Sequence, residues 1–136
     1  MHTSRYGKHH ITGDIELICS DAFALDTDIL STCTGVFDRA AQIALPPDMR
    51  VRYAGELYAH LPADCHGLLI TIEYPQHEQK GPPFDVPEAE VRELYERDWR
   101  IDPLERRDIL ATQPRFVAEG VTALGTVAYA LCRRAA

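Results

Sequence analysis

The sequence predicts an α/β sandwich of the doubly wound kind, built around one core. Three observations predict it. Gly67-Leu68-Leu69-Ile70-Thr71-Ile72-Glu73-Tyr74 is a nearly continuous β-favouring run, the pattern of a strand covered by helices on both faces of a parallel sheet. Between Pro47 and Leu61, the apolar residues Met49, Tyr53, Leu57 and Leu61 recur every fourth position with Ala54 and Tyr58 beside them, which is an amphipathic helix leading into that strand. Two further short strands end in acidic residues, Asp21 and Asp38. Such strand ends form the ligand-binding edge of open α/β sheets.

In chain order, residues 1–13 are polar, with Gly7 and Gly13 as breakers, and read as an irregular tail or the end of a hairpin. Residues 14–136 then make the ordered domain. Asp14–Cys19 alternates apolar and polar side chains and stops at Ser20-Asp21, as a strand does. Gly35-Val36-Phe37 is a second short strand. Pro47 is compatible with a helix start because the first helical N–H has no intrahelical partner, and Pro62 ends the helix by disfavouring helical geometry before it. Residues 75–83 carry three prolines, Gly81 and several polar residues, and read as a mobile loop at the C-terminal end of the central strand. Asp85 and Glu88 have capping-box spacing ahead of a short helix buried through Val91, Leu94 and Tyr95. Trp99–Arg106 reads as a strand that Pro103 confines to an edge or a bulge. Val127–Cys132 reads as a last strand.

Composition excludes several function classes. The chain has 136 residues, 46% hydrophobic and 26% charged, which suits one soluble domain. With 14 Lys+Arg against 21 Asp+Glu, the net charge of -7 repels phosphate backbones, so nucleic acid is not an expected ligand. Leu68–Ile72, the longest apolar run, is far short of the roughly 20 residues a membrane helix needs, and no apolar stretch follows the basic N-terminus as in a secretory leader. The expected compartment is the cytoplasm. Cys19, Cys33, Cys65 and Cys132 lie in or beside apolar segments without C-x-x-C spacing and read as reduced core residues, and no metal site is expected. No G-x-G-x-x-G turn occurs among the eight glycines.

Three segments carry a resemblance. They are Gly13-Asp14-Ile15-Glu16-Leu17 with Ser20-Asp21-Ala22-Phe23-Ala24-Leu25, Phe37-Asp38-Arg39-Ala40-Ala41 with Ala44-Leu45-Pro46-Pro47-Asp48-Met49-Arg50, and Gly67–Ile72 running into Gly81-Pro82-Pro83-Phe84. In order and approximate spacing they resemble the bacterial thiopurine S-methyltransferase family, supported by Leu104-Glu105-Arg106-Arg107-Asp108. The resemblance runs from about Gly13 to the C-terminus, the later part of a complete member. It implies a Rossmann-like class I methyltransferase sheet that here lacks the first two strands and the N-terminal helices. The family's tryptophan-bearing lid, Pro-Leu-Cys-Gly turn and ribose-binding glutamate have no counterpart in this sequence.

By the same resemblance, Asp21 and Ala22 fall on the turn that presents backbone groups to the adenine of S-adenosyl-L-methionine. Arg39 falls on a ligand-contacting arginine that can grip a carboxylate of the cofactor or a substrate anion. Pro82, Pro83 and Phe84 fall on a loop beside the acceptor, and Arg115 on a second basic residue near it. Plain alternatives stay open. Asp21 could cap the next turn, Arg39 could pair with Asp38 at the surface, and Phe84 could anchor its loop to the core. The implied chemistry is methyl transfer to a small-molecule thiol or other soft acceptor of sulfur, selenium or tellurium. Alignment and exclusion of water dominate such a displacement, so no catalytic residue is assigned. His60, His66 and His77 read more simply as helix-end, turn and loop residues than as acid–base groups. Two readings remain: a truncated S-methyltransferase, and a noncatalytic remnant or binding module derived from one. In either, unpaired strand edges would promote self-association.

Overall fold

The computed structural model describes residues 2–4, 7–25 and 27–135. Its elements are β1 (His2–Ser4), β2 (Gly7–Thr12), β3 (Ile15–Cys19), α1 (Thr27–Leu30), β4 (Gly35–Asp38), α2 (Pro47–Glu56), β5 (His66–Glu73), α3 (Glu88–Tyr95), β6 (Trp99–Asp108), α4 (Pro114–Ala118) and β7 (Gly125–Arg133). They form two sheets. The first is antiparallel, in the order β1-β2-β3, and the second has the order β4-β5-β7-β6.

The larger sheet is mixed rather than parallel. β5 runs parallel to β4 but antiparallel to β7, which in turn pairs antiparallel with β6. On one face the pleat places Leu69 and Thr71 of β5 beside Val127, Tyr129 and Leu131 of β7, all buried beneath α2 and α3. Tyr58 is central to this core, its ring 4.7 Å from Tyr95 and 5.8 Å from Trp99. The opposite face is only partly covered: Leu68, Ile70, Ala128 and Ala130 are half-buried and Phe37 is exposed. The expectation of helices on both faces of β5 is therefore met on one face only among the described residues.

Several expectations change in detail. Residues 1–13 are not an irregular tail where they are described: Gly7–Thr12 pairs in register with β3, from Lys8 opposite Cys19 to Thr12 opposite Ile15, across a turn at Gly13 with φ of 57°. Residues 1, 5 and 6 of that segment lie outside the described residues. The strand at 15–19 thus belongs to a separate small sheet. The helix expected over 47–61 stops at Glu56 and resumes as a single 3-10 turn at Tyr58–His60. The guanidinium of Arg133 takes the carbonyls of Ala59 and Leu61, at 2.9 and 3.1 Å, which the end of this helical stretch leaves without a backbone partner. Pro103 meets both of its alternatives. β6 is the sheet edge, and the register shifts between Pro103 and Glu105. Of the four free cysteines, Cys65 is buried and Cys33 and Cys132 are half-buried, whereas Cys19 is exposed and is not a core residue.

Candidate functional site

The C-terminal end of β4 is organised by one buried carboxylate. Asp38 is buried and accepts the Gln42 N–H at 3.1 Å, the Tyr53 hydroxyl at 2.8 Å and the Tyr58 hydroxyl at 2.9 Å. The Tyr95 hydroxyl donates to the side-chain oxygen of Gln42 and closes the network. Burial first, and then the negative neighbours, push the hydroxyls of Tyr53, Tyr58 and Tyr95 up, so all three stay protonated donors. A carboxylate with three donors has little need of a fourth. Asp38 therefore does not pair with Arg39, and that alternative falls. Arg39 is exposed and has no hydrogen bond or ion pair among the described residues. It borders a cavity of about 320 Å³ that also meets Arg107 of β6.

The Gly81–Phe84 loop is fastened at its far end. Phe84 N–H donates to Ile43 O at 2.6 Å, the Tyr74 hydroxyl to Pro83 O at 2.8 Å, and Val86 N–H to Ile72 O at 2.9 Å. Gly81 has φ of 81°, and a side chain there would sit 2.6 Å from the Phe84 ring, so only glycine lets the ring fold back. Both peptide bonds into Pro82 and Pro83 are cis. Phe84 thus anchors the loop, as one alternative held, while remaining half-buried. Asp85 does not cap α3. Its carboxylate accepts the Tyr74 N–H at 2.9 Å, and α3 starts at Glu88 behind Pro87 with no side-chain cap.

Behind the loop lies Arg50, which the sequence reading passed over. It is 2% exposed. One guanidinium nitrogen donates to Asp85 O at 3.3 Å, Nε stands 3.0 Å from the Glu90 carboxylate, and the Phe84 ring centroid is 5.5 Å away. Arg50 therefore ties α2, the loop and α3 together. Burial pushes the carboxyls of Asp85 and Glu90 up, against the pull of Arg50.

The remaining candidates make local contacts of their own. The Asp21 carboxylate accepts the Phe23 N–H at 2.9 Å and caps the 3-10 turn Ala22–Ala24, while Ala22 is exposed. Arg115, on α4, is exposed and forms an ion pair with Glu119 at 3.1 Å, one helical turn on. It does not line the cavity that Arg39 borders. His60, His66 and His77 are exposed. Arg107 was missed because two consecutive arginines give no sign of which one faces the cavity. The signal available was Pro103, whose bulge resets the alternation just before them.

Comparison with known proteins places the chain. The profile of the family described as "Thiopurine S-methyltransferase (TPMT)" matches residues 1–134, including the segment before Gly13. The chain belongs to the thiopurine S-methyltransferase family. It is 56% identical over 133 residues to the Thiopurine S-methyltransferase of Xanthomonas axonopodis pv. citri (strain 306), covering 98% of this chain and 61% of that protein. Similarity extends to the proteins of the same name from Nitrosomonas eutropha, 54% identical over 97% of this chain and 60% of the relative, and Bordetella pertussis, 48% identical over 98% and 61%. The chain spans about 60% of the length of the curated relatives it matches. The family's α/β architecture agrees with the mixed four-stranded sheet and its helices. Among the described residues, no helix is long and apolar enough to cross a membrane.

Proposed function

We propose that this chain carries part of the site of an S-adenosylmethionine-dependent S-methyltransferase, acting on a small-molecule thiol or another soft acceptor. The observation that carries the reading is Arg39. An arginine left without a protein partner at the C-terminal end of a parallel strand stands where open α/β sheets take their ligands, in a chain whose relatives are named for methyl transfer to thiopurines. S-adenosylmethionine, when bound, supplies a methyl group on a sulfonium, which departs readily as a neutral thioether.

The residues present offer one contact to each end of that cofactor. Arg39 offers an unoccupied two-pronged donor suited to a carboxylate. The Asp21-Ala22 turn is exposed, and the bond from Phe23 N–H to Asp21 holds its backbone in place beside a flat base. Pro82 and Pro83 supply apolar wall at low ordering cost, and the half-buried Phe84 supplies ring surface. Arg115 would serve only after leaving Glu119. Reaction needs the acceptor as its thiolate, with its proton released to solvent and the two sulfur atoms in line. What these residues contribute is position and exclusion of water.

The test is transfer of a labelled methyl group to an aromatic thiol, together with calorimetric titration of cofactor and acceptor. Arg39→Ala should weaken binding of one of the two ligands by about 1.5–3 kcal/mol, the range for a hydrogen bond to a charged group. Unchanged binding of both removes Arg39 from the site. The second reading is a ligand-binding module without turnover. Acceptor binding without any methyl transfer would select it.

A further inference from the structure

The cavity beside Arg39 has a floor and a charge that its residues dictate. On the face of the larger sheet away from α2 and α3, the register places Ile70 of β5 opposite Ala128 of β7, with Glu105 of β6 opposite Ala128 in turn. Phe37 of β4 lies on the same face, exposed, as one wall. The register shift between Pro103 and Glu105 decides the other wall. Before it, Trp99 and Ile101 point to the helix-covered face. After it, Arg106 takes that face and reaches Glu88 of α3, which leaves Arg107 to project into the cavity. A strand without the bulge would exchange the two.

The electrostatics of this place differ from those of the other cavities. The cavity of about 520 Å³ near the ends of β5, β6 and β7 and the groove of about 740 Å³ between α2 and α3 each carry more carboxylates than guanidinium groups on their walls. Here Arg39 and Arg107 face a single carboxylate, Glu105, on a chain whose net charge is -7. Glu105 holds Arg107 from two residues along the same strand, an exposed contact of little strength. A volume of about 320 Å³ is at the low end for a small-ligand site. Two donors of one sign above a small apolar floor call for a flat body with a negative end.

We propose that Arg39 and Arg107 together seat the carboxylate of a small organic anion whose flat apolar body lies on Phe37, Ile70 and Ala128, with Arg107 setting the preference for the anion. The inference rests on the functional reading above in taking this end of the sheet as the ligand cleft. Its test uses binding alone, so absence of methyl transfer leaves it standing, and loss of Arg107 dependence defeats it while methyl transfer stands. The carboxylate could belong to an aromatic acceptor or to the amino-acid end of a cofactor. The shared chemistry is the same, and the probes separate the two.

The isotopically labelled full chain is titrated with benzoate, with its neutral counterpart benzamide, and with L-methionine, followed by amide NMR shifts. Benzoate should move amides at 37–39, 105–107 and 126–128, and should bind about tenfold more tightly than benzamide. Arg107→Gln should remove that advantage, leaving benzamide unaffected. Glu105→Gln, which releases Arg107, should tighten benzoate. Arg52→Gln, on α2 outside the cavity, should change nothing. Tighter binding of L-methionine than benzoate, still lost in Arg107→Gln, assigns the seat to the amino-acid end of a cofactor, and the reverse order assigns it to an acceptor. Equal affinity for benzoate and benzamide, equal benzoate affinity with and without Arg107, or failure of both carboxylates to bind at millimolar concentration overturns the proposal.

Discussion

At the scale of single residues, Asp38 shows how a buried charge organises its neighbours. Three donors satisfy its carboxylate, and two of them are tyrosine hydroxyls whose own ionisation is suppressed by burial. Removing one donor leaves a buried charge one bond short, so Tyr58→Phe should cost about 1–3 kcal/mol in denaturant unfolding. Tyr53 is more exposed than Tyr58 and should matter less, because water can replace its hydroxyl. An equal cost for both would mean that the two bonds act as a unit. Asp85 makes a prediction about pH. Its folded-state pKa lies above the usual carboxylate range because of burial. The stability tied to its protonated form is complete below the unfolded value and is lost as pH rises through the folded one. Asp85→Asn keeps an acceptor for the Tyr74 N–H and never ionises. The melting temperature of Asp85→Asn relative to the unmodified chain should therefore rise between pH 4 and pH 7. A constant difference across that range would show that Asp85 does not titrate as described.

At the scale of elements, the loop after β5 is decided by what lies beneath it. Its proline-rich sequence predicts mobility, but the amides of Phe84 and Val86 are bonded to Ile43 and Ile72 and Arg50 underlies the Phe84 ring. In deuterium exchange the Phe84 and Val86 amides should exchange slowly without any ligand, and fast exchange at both would show that the far end of the loop is not fastened. Arg50 should be sensitive to removal of its charge. Arg50→Met leaves Glu90 half-buried beside no cation, and breaking such a pair from one side costs about 3–5 kcal/mol. Arg50→Lys should recover part of that loss, since a point charge restores the Coulomb attraction but not the forked geometry. Equal destabilisation by the two would assign the role of Arg50 to shape.

At the scale of the whole molecule, strand edges, β3 and β4 among them, and one sheet face lack cover among the described residues. β4 pairs only with β5 and β3 only with β2. Beside these edges, Ile15, Leu17 and Phe37 are each 65% exposed. Open edges flanked by apolar side chains pair with other chains, so the chain should self-associate in sedimentation experiments, in a manner that deepens with concentration. Phe37→Lys places a charge beside the β4 edge and should shift the equilibrium toward monomer. A monomer at every accessible concentration would show that the edges protect one another. The cofactor reading adds an expectation on the same scale. With Arg39 and the Asp21-Ala22 turn as its proposed contacts, S-adenosylmethionine should not bind this chain with a dissociation constant below about 10 μM, equivalent to roughly −7 kcal/mol. Tighter calorimetric binding would mean that further residues of the chain hold it.

The sequence by itself determined the elements whose signal is local. The apolar run at 67–74, the four-residue recurrence ahead of Pro62 and the breaker at Pro103 each act through neighbours along the chain, and each appears in the structure, the helix as far as Glu56. The motifs around Asp38-Arg39 and Gly81–Phe84 were legible for the same reason, and so was the family. Tertiary structure alone decided the rest, because those outcomes depend on partners far away in the chain. Arg133 caps the helical turn 74 residues earlier by taking the Ala59 carbonyl. β7 enters between β5 and β6 and makes the sheet mixed. Asp38 is claimed by tyrosines 15 and 20 residues on, which leaves Arg39 without a protein partner. The two adjacent arginines of β6 are alike in sequence, and only the bulge and the strand it pairs with turn one toward α3 and the other toward the cavity.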